Sequence, residues 1–371
     1  MESRLARMRV AMDEQDIAWF YCTDLSNVKW LTGFEGVFDD EPAHAALVTH
    51  GDAAMHTDSR YAQAACNAAK DSEWRVDASG GSHSAWALDT AGASLCPKRF
   101  ALEDTMTLSA YRALQGAFAK RVQEDDAVRV EPVETSDFVR SLRAVKDASE
   151  VRAMKQAQAI TDAAFEHIAG FMRVGMTERE VQLELEQTMR KLGADDLAFS
   201  SIVASGGNGA APHSIPGSKR LEEGDMVVLD FGARKHGYCS DMTRTVCMGH
   251  ASEEALCVYS AVRAANEAVE AMLGPGVTGA AAHELAEQVL AREGFAGKMG
   301  HGLGHGVGLD IHELPNLSPR NTVPLAVGNV VTVEPGVYLD GVLGCRLEDF
   351  GIITEDGFEV FTKSTHELVI I

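Results

Sequence analysis

Five side chains able to hold a metal ion stand between positions 230 and 348 of a 371-residue chain: Asp230, Asp241, His305, Glu334 and Glu348. Four are carboxylates set in runs that read as buried strands. These are Val227-Val228-Leu229-Asp230, Asp241-Met242-Thr243-Arg244-Thr245-Val246, Val331-Thr332-Val333-Glu334 and the segment from Arg346 through Glu348 to Ile353. An ionised carboxylate taken out of water is costly unless positive charge meets it. Basic residues are few beside these runs, so a pair of divalent cations is the economical partner. Four carboxylates and one imidazole suit manganese, cobalt or iron(II) better than a sulfur-rich zinc site would, with zinc as an alternative. Two such ions would sit ~3.5–4 Å apart and activate a water.

The spacing says how these groups meet. Lys235-His236-Gly237 lies midway between Asp230 and Asp241, so a turn there would set the two aspartates roughly opposite each other on antiparallel strands. Arg346 and Glu348 are two apart and would share a strand face, with Arg346 orienting Glu348 or a neighbouring carboxylate. From Gly300 to Gly308 five of nine residues are glycine. That excludes a stable helix. It would let the backbone pass close to a ligand or metal while His301 and His305 point inward. His213, His301 and His312 are left to polarise a carbonyl or handle protons.

The elements that must position these residues come as a repeat. Gly175-Met176-Thr177 and a helix through Gln187 to Gly193 match Gly276-Val277-Thr278 and a helix through Gln288 to Gly294. Gly224 through Asp230 to Gly232 matches Gly328 through Glu334 to Gly336, and His213-Ser214-Ile215-Pro216 echoes His312-Glu313-Leu314-Pro315. Two such halves about a pseudo-twofold axis would bring Asp230 and Glu334 to equivalent places. A long helix over roughly Ala148–Phe171, capped by Ser149 or a neighbour, opens this domain. Ahead of it, Leu5, Met8, Met12 and Ile17 suggest an amphipathic helix. Trp19-Phe20-Tyr21, Ala45–Val48 and Arg99–Leu102 suggest strands of an α/β domain. His44, His50, His56 and His83 there form no catalytic pattern and read as structural or surface residues.

Bulk properties narrow the partners. Lys plus Arg is 33 and Asp plus Glu 55, a formal charge of −22. Such a surface repels nucleic acid and anionic membranes. Seven cysteines, irregularly spaced and including Cys96, exclude a disulfide framework and fit a reducing cytoplasm. The opening residues lack the apolar core of a secretory signal, and no run reaches the ~18 residues of a membrane span.

The matching pieces resemble the metallopeptidases of the pita-bread fold, the group of methionine aminopeptidase, aminopeptidase P, prolidase and creatinase. They are Leu229–Gly232, Ser240–Thr245, His301–Gly308, His312-Glu313, Thr332–Gly336 and Arg346–Asp349. Trp30–Phe34, Asp58–Tyr61 and Leu142–Glu150 resemble the creatinase/prolidase N-terminal domain and the junction after it. The resemblance implies an α+β chain of two domains, an N-terminal one over 1–140 and a pseudo-twofold pita-bread catalytic one over 148–371. It implies that Asp230 holds one metal and that His305 and Glu334 hold the other. Asp241 and Glu348 bridge them, and Glu334 also shuttles protons. It assigns His213 and His312 to the substrate and His301 and Arg346 to supporting places. A homodimer acting on proline-containing peptides is expected.

Creatinase does not keep the full ligand set, and all five are present here. Prolidases often carry a basic residue just after the His-Glu-x-Pro segment to hold a dipeptide's carboxylate, and here that place is Asn316. The expectation is therefore an Xaa-Pro aminopeptidase, unless another arginine takes that part. Xaa-Pro dipeptidase is the alternative. A small-molecule hydrolase or lyase on the same scaffold, and a non-catalytic binding module, are more distant readings.

Overall fold

The computed structural model describes residues 3–92, 98–124 and 130–371, so Cys96 lies outside the described residues. The chain divides into two compact units, Met1–Arg143 and Ala144–Ile371. Among the described residues no helix is long and apolar enough to cross a membrane.

In the first unit α1 (Arg4–Glu14) starts where Ser3 Oγ accepts the Ala6 N–H and buries Leu5, Met8 and Met12. Ile17 does not continue this helix: Asp16 takes a φ of 53° and turns the chain, and Ile17 opens the first strand. That strand, β1 (Ile17–Cys22), joins β2 (Ala45–Thr49), β3 (Ala53–His56), β4 (Trp74–Asp77), β5 (Lys98–Glu103) and β6 (Val130–Thr135) in one sheet, ordered β4-β3-β2-β1-β5-β6. Its β1–β2 and β2–β3 pairs are antiparallel and the rest parallel. Five further helices complete the unit: α2 (Leu25–Thr32), α3 (Ala62–Ala69), α4 (His83–Ala91), α5 (Leu108–Glu124) and α6 (Phe138–Arg143). His56 is buried, its Nδ1 lies 2.6 Å from that of His83, and Trp86 stacks on it. Burial pushes His83 down to about 4, so it is neutral near pH 7.

The second unit opens with α7 (Ala148–Phe171). Its cap is Asp147 rather than Ser149; with Glu150 it completes a capping box, and Ser149 N–H is one of the groups it satisfies. Buried Met154, Ala157, Ala164, Phe165 and Ile168 trace one face at helical spacing. Three more helices follow: α8 (Glu178–Lys191), α9 (Glu253–Met272) and α10 (Gly279–Arg292). The strands are β7 (Asp196–Leu197), β8 (Ile202–Ser205), β9 (Met226–Phe231), β10 (Ala233–Lys235), β11 (Tyr238–Cys239), β12 (Met242–Cys247), β13 (Gly304–Gly306), β14 (Glu313–Leu317), β15 (Val330–Val333), β16 (Gly336–Leu339), β17 (Leu343–Arg346), β18 (Asp349–Thr354) and β19 (Gly357–Val360).

The repeat is visible bond by bond. Gly175 and Gly276 take φ of 92° and 89°, a region glycine enters without strain. Their N–H groups donate to Leu221 and Leu325 carbonyls at 2.8 and 2.9 Å. Thr177 and Thr278 cap α8 and α10 through their hydroxyls. β9 then runs between β8 and β12, and β15 between β13 and β18. Each half has its own core: α7 and α8 pack with Val227, Leu229 and Val246, and α9 and α10 with Val331, Val333 and Ile353. Burying each such side chain contributes ~1.5–3 kcal/mol.

Candidate active site

The hairpin register corrects the expected pairing of the two aspartates. His236 and Gly237 take φ of 50° and 80° and form the two-residue loop, and Lys235 pairs with Tyr238 instead of lying in it. Asp230 therefore faces Thr243, and Asp241 lies two residues before Thr243, on the same face. Such diagonal neighbours are ~7–8 Å apart at Cα, still within reach of long or bridged side chains. The expected continuous strand from Arg346 to Ile353 is also broken. β17 ends at Arg346, Glu348 makes an isolated bridge to Thr243, and β18 begins at Asp349. Glu348 thereby leaves the sheet of Arg346 and is handed to the hairpin that carries Asp241.

Two glycines of the 300–308 segment, Gly304 and Gly306, also serve close packing, while Gly302 and Gly304 line the cavity described below. A Cβ at Gly304 would stand 2.2 Å from Thr332 O, and one at Gly306 would stand 2.3 Å from Leu314 O. Close strand contact on both sides holds His305 at the centre of β13. Its backbone N–H donates to Thr332 Oγ1 at 3.0 Å, and that hydroxyl lies 3.2 Å from Glu334 Oε1.

All five expected ligands line one cavity of about 600 Å³, together with His213, His301, His312 and Arg346. One ligand atom each from Asp241, His305 and Glu348 lies within 4.8 Å of the others. His305 Nδ1 faces Gly306 O at 3.0 Å, where only a donor fits. Its Nε2 is then a bare acceptor, and it faces Asp241 Oδ2 at 3.5 Å and Glu334 Oε1 at 3.4 Å. Burial holds His305 below its ordinary value, so protonation does not relieve this contact near neutrality. Acceptor against acceptor calls for a cation between them.

The carboxylates say the same. Burial, then Asp230 and Glu334, push Asp241 well above the ordinary range. Burial, then Asp241, Glu334 and Asp230, do so for Glu348. Asp230 Oδ1 is buried with no hydrogen-bond partner. The neighbouring Asp349 gives the contrast. Burial pushes it up too, but Arg244, at 2.7 Å, and His366 overcome this and hold it below the usual value. Asp349 has its cation within the protein, whereas Asp241 and Glu348 lack a dedicated one. The donor set therefore fits two divalent cations.

Arg346 binds Asp230 at 2.5 Å, not Glu348. It also donates to Thr243 Oγ1 at 3.1 Å and to the Tyr338 hydroxyl at 2.8 Å. Thr243 Oγ1 in turn donates a hydrogen bond to Glu348 Oε2 at 2.7 Å. His301 Nε2 meets the same Tyr338 hydroxyl at 2.9 Å. His312 packs edge-on against His305, and His213 is exposed on the wall. Sequence reasoning missed Tyr338, Thr243 and Thr332. Strand alternation was the available signal: Thr332 and Glu334 share a face, as do Thr243 and Asp241. Asn316 does not line the cavity; its carbonyl accepts from Asn321.

Residues 152–355 match the model of metallopeptidase family M24, and residues 4–145 match the creatinase/prolidase N-terminal domain. The chain belongs to metallopeptidase family M24. It is a hydrolase with the two-domain creatinase and pita-bread architecture. The uncharacterised peptidase YqhT of Bacillus subtilis is 37% identical over 99% of this chain and 100% of its own length. The Xaa-Pro dipeptidase from Bacillus anthracis superposes with a TM-score of 0.89 at 37% identity, covering 99% of both chains. The X-Pro aminopeptidase from Thermotoga maritima does so with a TM-score of 0.85 at 33% identity, covering 99% of this chain and 100% of its own.

Proposed function

We propose that this chain is a dinuclear metal-dependent peptidase that cleaves the bond between an N-terminal residue and proline. The observation that carries the reading is the bare His305 Nε2 facing two carboxylates in a cavity lined by three further histidines. Asp230, Asp241, Glu348, His305 and Glu334 would hold two cations, manganese first, with cobalt, zinc or iron(II) as alternatives. When bound, the ions polarise the scissile carbonyl and lower the pKa of water into the neutral range.

The protein's own residues do the rest. Glu334, whose carboxyl burial raises to about 6 before any cation binds, would take up and release the proton of the attacking water. His213 and His312 orient the peptide and donate to the developing oxyanion. Arg346 fixes Asp230, and Thr243 fixes Glu348, so the acids keep their places when the cavity is loaded. His301, braced by Tyr338, supports the wall beside Glu334.

Dipeptides are the better supported substrates, because Xaa-Pro dipeptidases stand among the relatives similar over most of this chain. Asn316, whose uncharged amide favoured longer peptides, is away from the cavity. The Thermotoga maritima aminopeptidase keeps longer Xaa-Pro peptides as a second reading. A homodimer and a cytoplasmic location are proposed on the family likeness alone. The test strips the protein with a chelator and restores each ion before assay on Ala-Pro, Ala-Pro-Gly and Ala-Ala. Proline-dependent cleavage lost on stripping and regained on restoration is expected. Activity indifferent to chelation, or absent from both proline peptides, sinks the proposal.

A further inference from the structure

Arg179, the second residue of α8, lines the same cavity. Its backbone is firmly placed: the N–H donates to Gly217 O at 3.1 Å. The residue before it, Glu178, is fully buried. Its carboxylate accepts from Ser205 N at 2.8 Å, Asn208 Nδ2 at 3.0 Å and Gly217 N at 3.2 Å. These bonds tie the start of α8 to the loop that carries His213 and Ile215. The Arg179 side chain, in contrast, is exposed and makes no hydrogen bond or ion pair with any described residue.

Arg346, the other arginine on the cavity wall, is taken up by Asp230, Tyr338 and Thr243. Arg179 is thus the one cation among the described lining residues whose donors are open. The carboxylates of the floor would repel a peptide's terminal carboxylate, and the chain's net charge of −22 adds to this. A peptide acid entering here needs a counter-ion away from that floor. The same cavity is also lined by Phe199, Ile202, Ile311 and Ile215, the last 82% exposed. A cavity that offers both an unpaired guanidinium and exposed hydrocarbon fits the end of a short peptide.

We infer that Arg179, on the Xaa-Pro peptidase reading above, is a specificity-determining residue that binds the free C-terminal carboxylate of a short peptide. A guanidinium takes a carboxylate through two parallel hydrogen bonds, which an ammonium cannot reproduce. The carboxylate belongs either to the proline of a dipeptide or to the residue after it, and peptide length separates the two.

The experiment compares the metal-loaded wild type with Arg179→Met and Arg179→Lys on Ala-Pro, Ala-Pro-Ala and the C-terminal amide of each. Wild type favours the free acid over the amide at one of these lengths. Arg179→Met raises KM for that acid roughly 10- to 100-fold with little change in kcat, so the acid-over-amide preference collapses. Arg179→Lys retains part of it. An unchanged melting temperature checks that the variants are folded, as expected for an exposed side chain. Equal losses on acid and amide, or no change on either, overturn the inference. A wild type that cleaves none of the four overturns the underlying reading, and that result appears before any variant is measured.

Discussion

The two halves of the catalytic unit share a frame and differ at its hinge. Each enters its second helix through a left-handed glycine and a capping threonine, and each ends its central strand at or beside an acid, Asp230 or Glu334. One residue after the threonine they part. The first half has Glu178, whose buried carboxylate gathers Ser205, Asn208 and Gly217. The second has Gly279, where a Cβ would stand 2.3 Å from Asn316 O. One half holds its histidine loop with hydrogen bonds, and the other lets the loop's backbone press directly on the helix. A duplicated scaffold thus keeps the hydrogen bonds that build the frame while the positions next to the cavity diverge.

The largest expected effect tests the equivalence itself. Asp230→Asn and Glu334→Gln should each lower kcat/KM by roughly 10²- to 10⁴-fold. If Glu334 also moves a proton, Glu334→Gln keeps a deficit in kcat at saturating metal that Asp230→Asn does not show. Metal titrations of initial rates decide between the two outcomes.

The hinge comes next. Glu178→Ala strands several buried donors and should cost about 3 kcal/mol in denaturant unfolding. Gly279→Ala forces a methyl against a backbone carbonyl and should cost about 2 kcal/mol. A neutral result for Gly279→Ala would mean that the second loop is not held by close packing.

A smaller effect has the opposite sign. Asp241 carries a raised pKa in the folded protein, so metal-free protein loses stability as pH rises above the ordinary carboxylate range. Asp241→Asn should therefore melt higher than wild type after stripping. The gain is about 1–2 kcal/mol, or roughly 2–8 °C, and the gap should widen from pH 4 to pH 7. Asp349→Asn, which leaves buried Arg244 short of its partner, should melt lower. A melting curve for Asp241→Asn that lies below wild type would show that the acid cluster is not under charge strain.

The smallest prediction concerns the caps. Thr177→Ala and Thr278→Ala each lose about 1 kcal/mol. The first should lose more, because its hydroxyl belongs to a capping box and the second makes a single cap bond.

The sequence alone was enough to pick out five candidate ligands, which the fold gathers in one cavity, and to read the repeat and the two-domain plan. Each of these is a local signal: an acid ending an apolar run, a glycine and threonine before a helix, a glycine segment flanking two histidines. It was not enough for the exact partners. The register between Asp230 and Asp241 moved because a loop of His236 and Gly237, with both residues at positive φ, pairs Lys235 into the ladder. Glu348 left the sheet of Arg346 because β17 ends at Arg346 and β18 begins only at Asp349. Arg346 chose Asp230, 116 residues away, over the acid two positions on. Asn316 fell outside the cavity, and Arg179, in a helix with no sequence mark of function, came to line it. Residue type sets what a side chain can do, and period sets which face it takes. Which charge it meets depends on contacts across a hundred residues, and only the packed structure decides those.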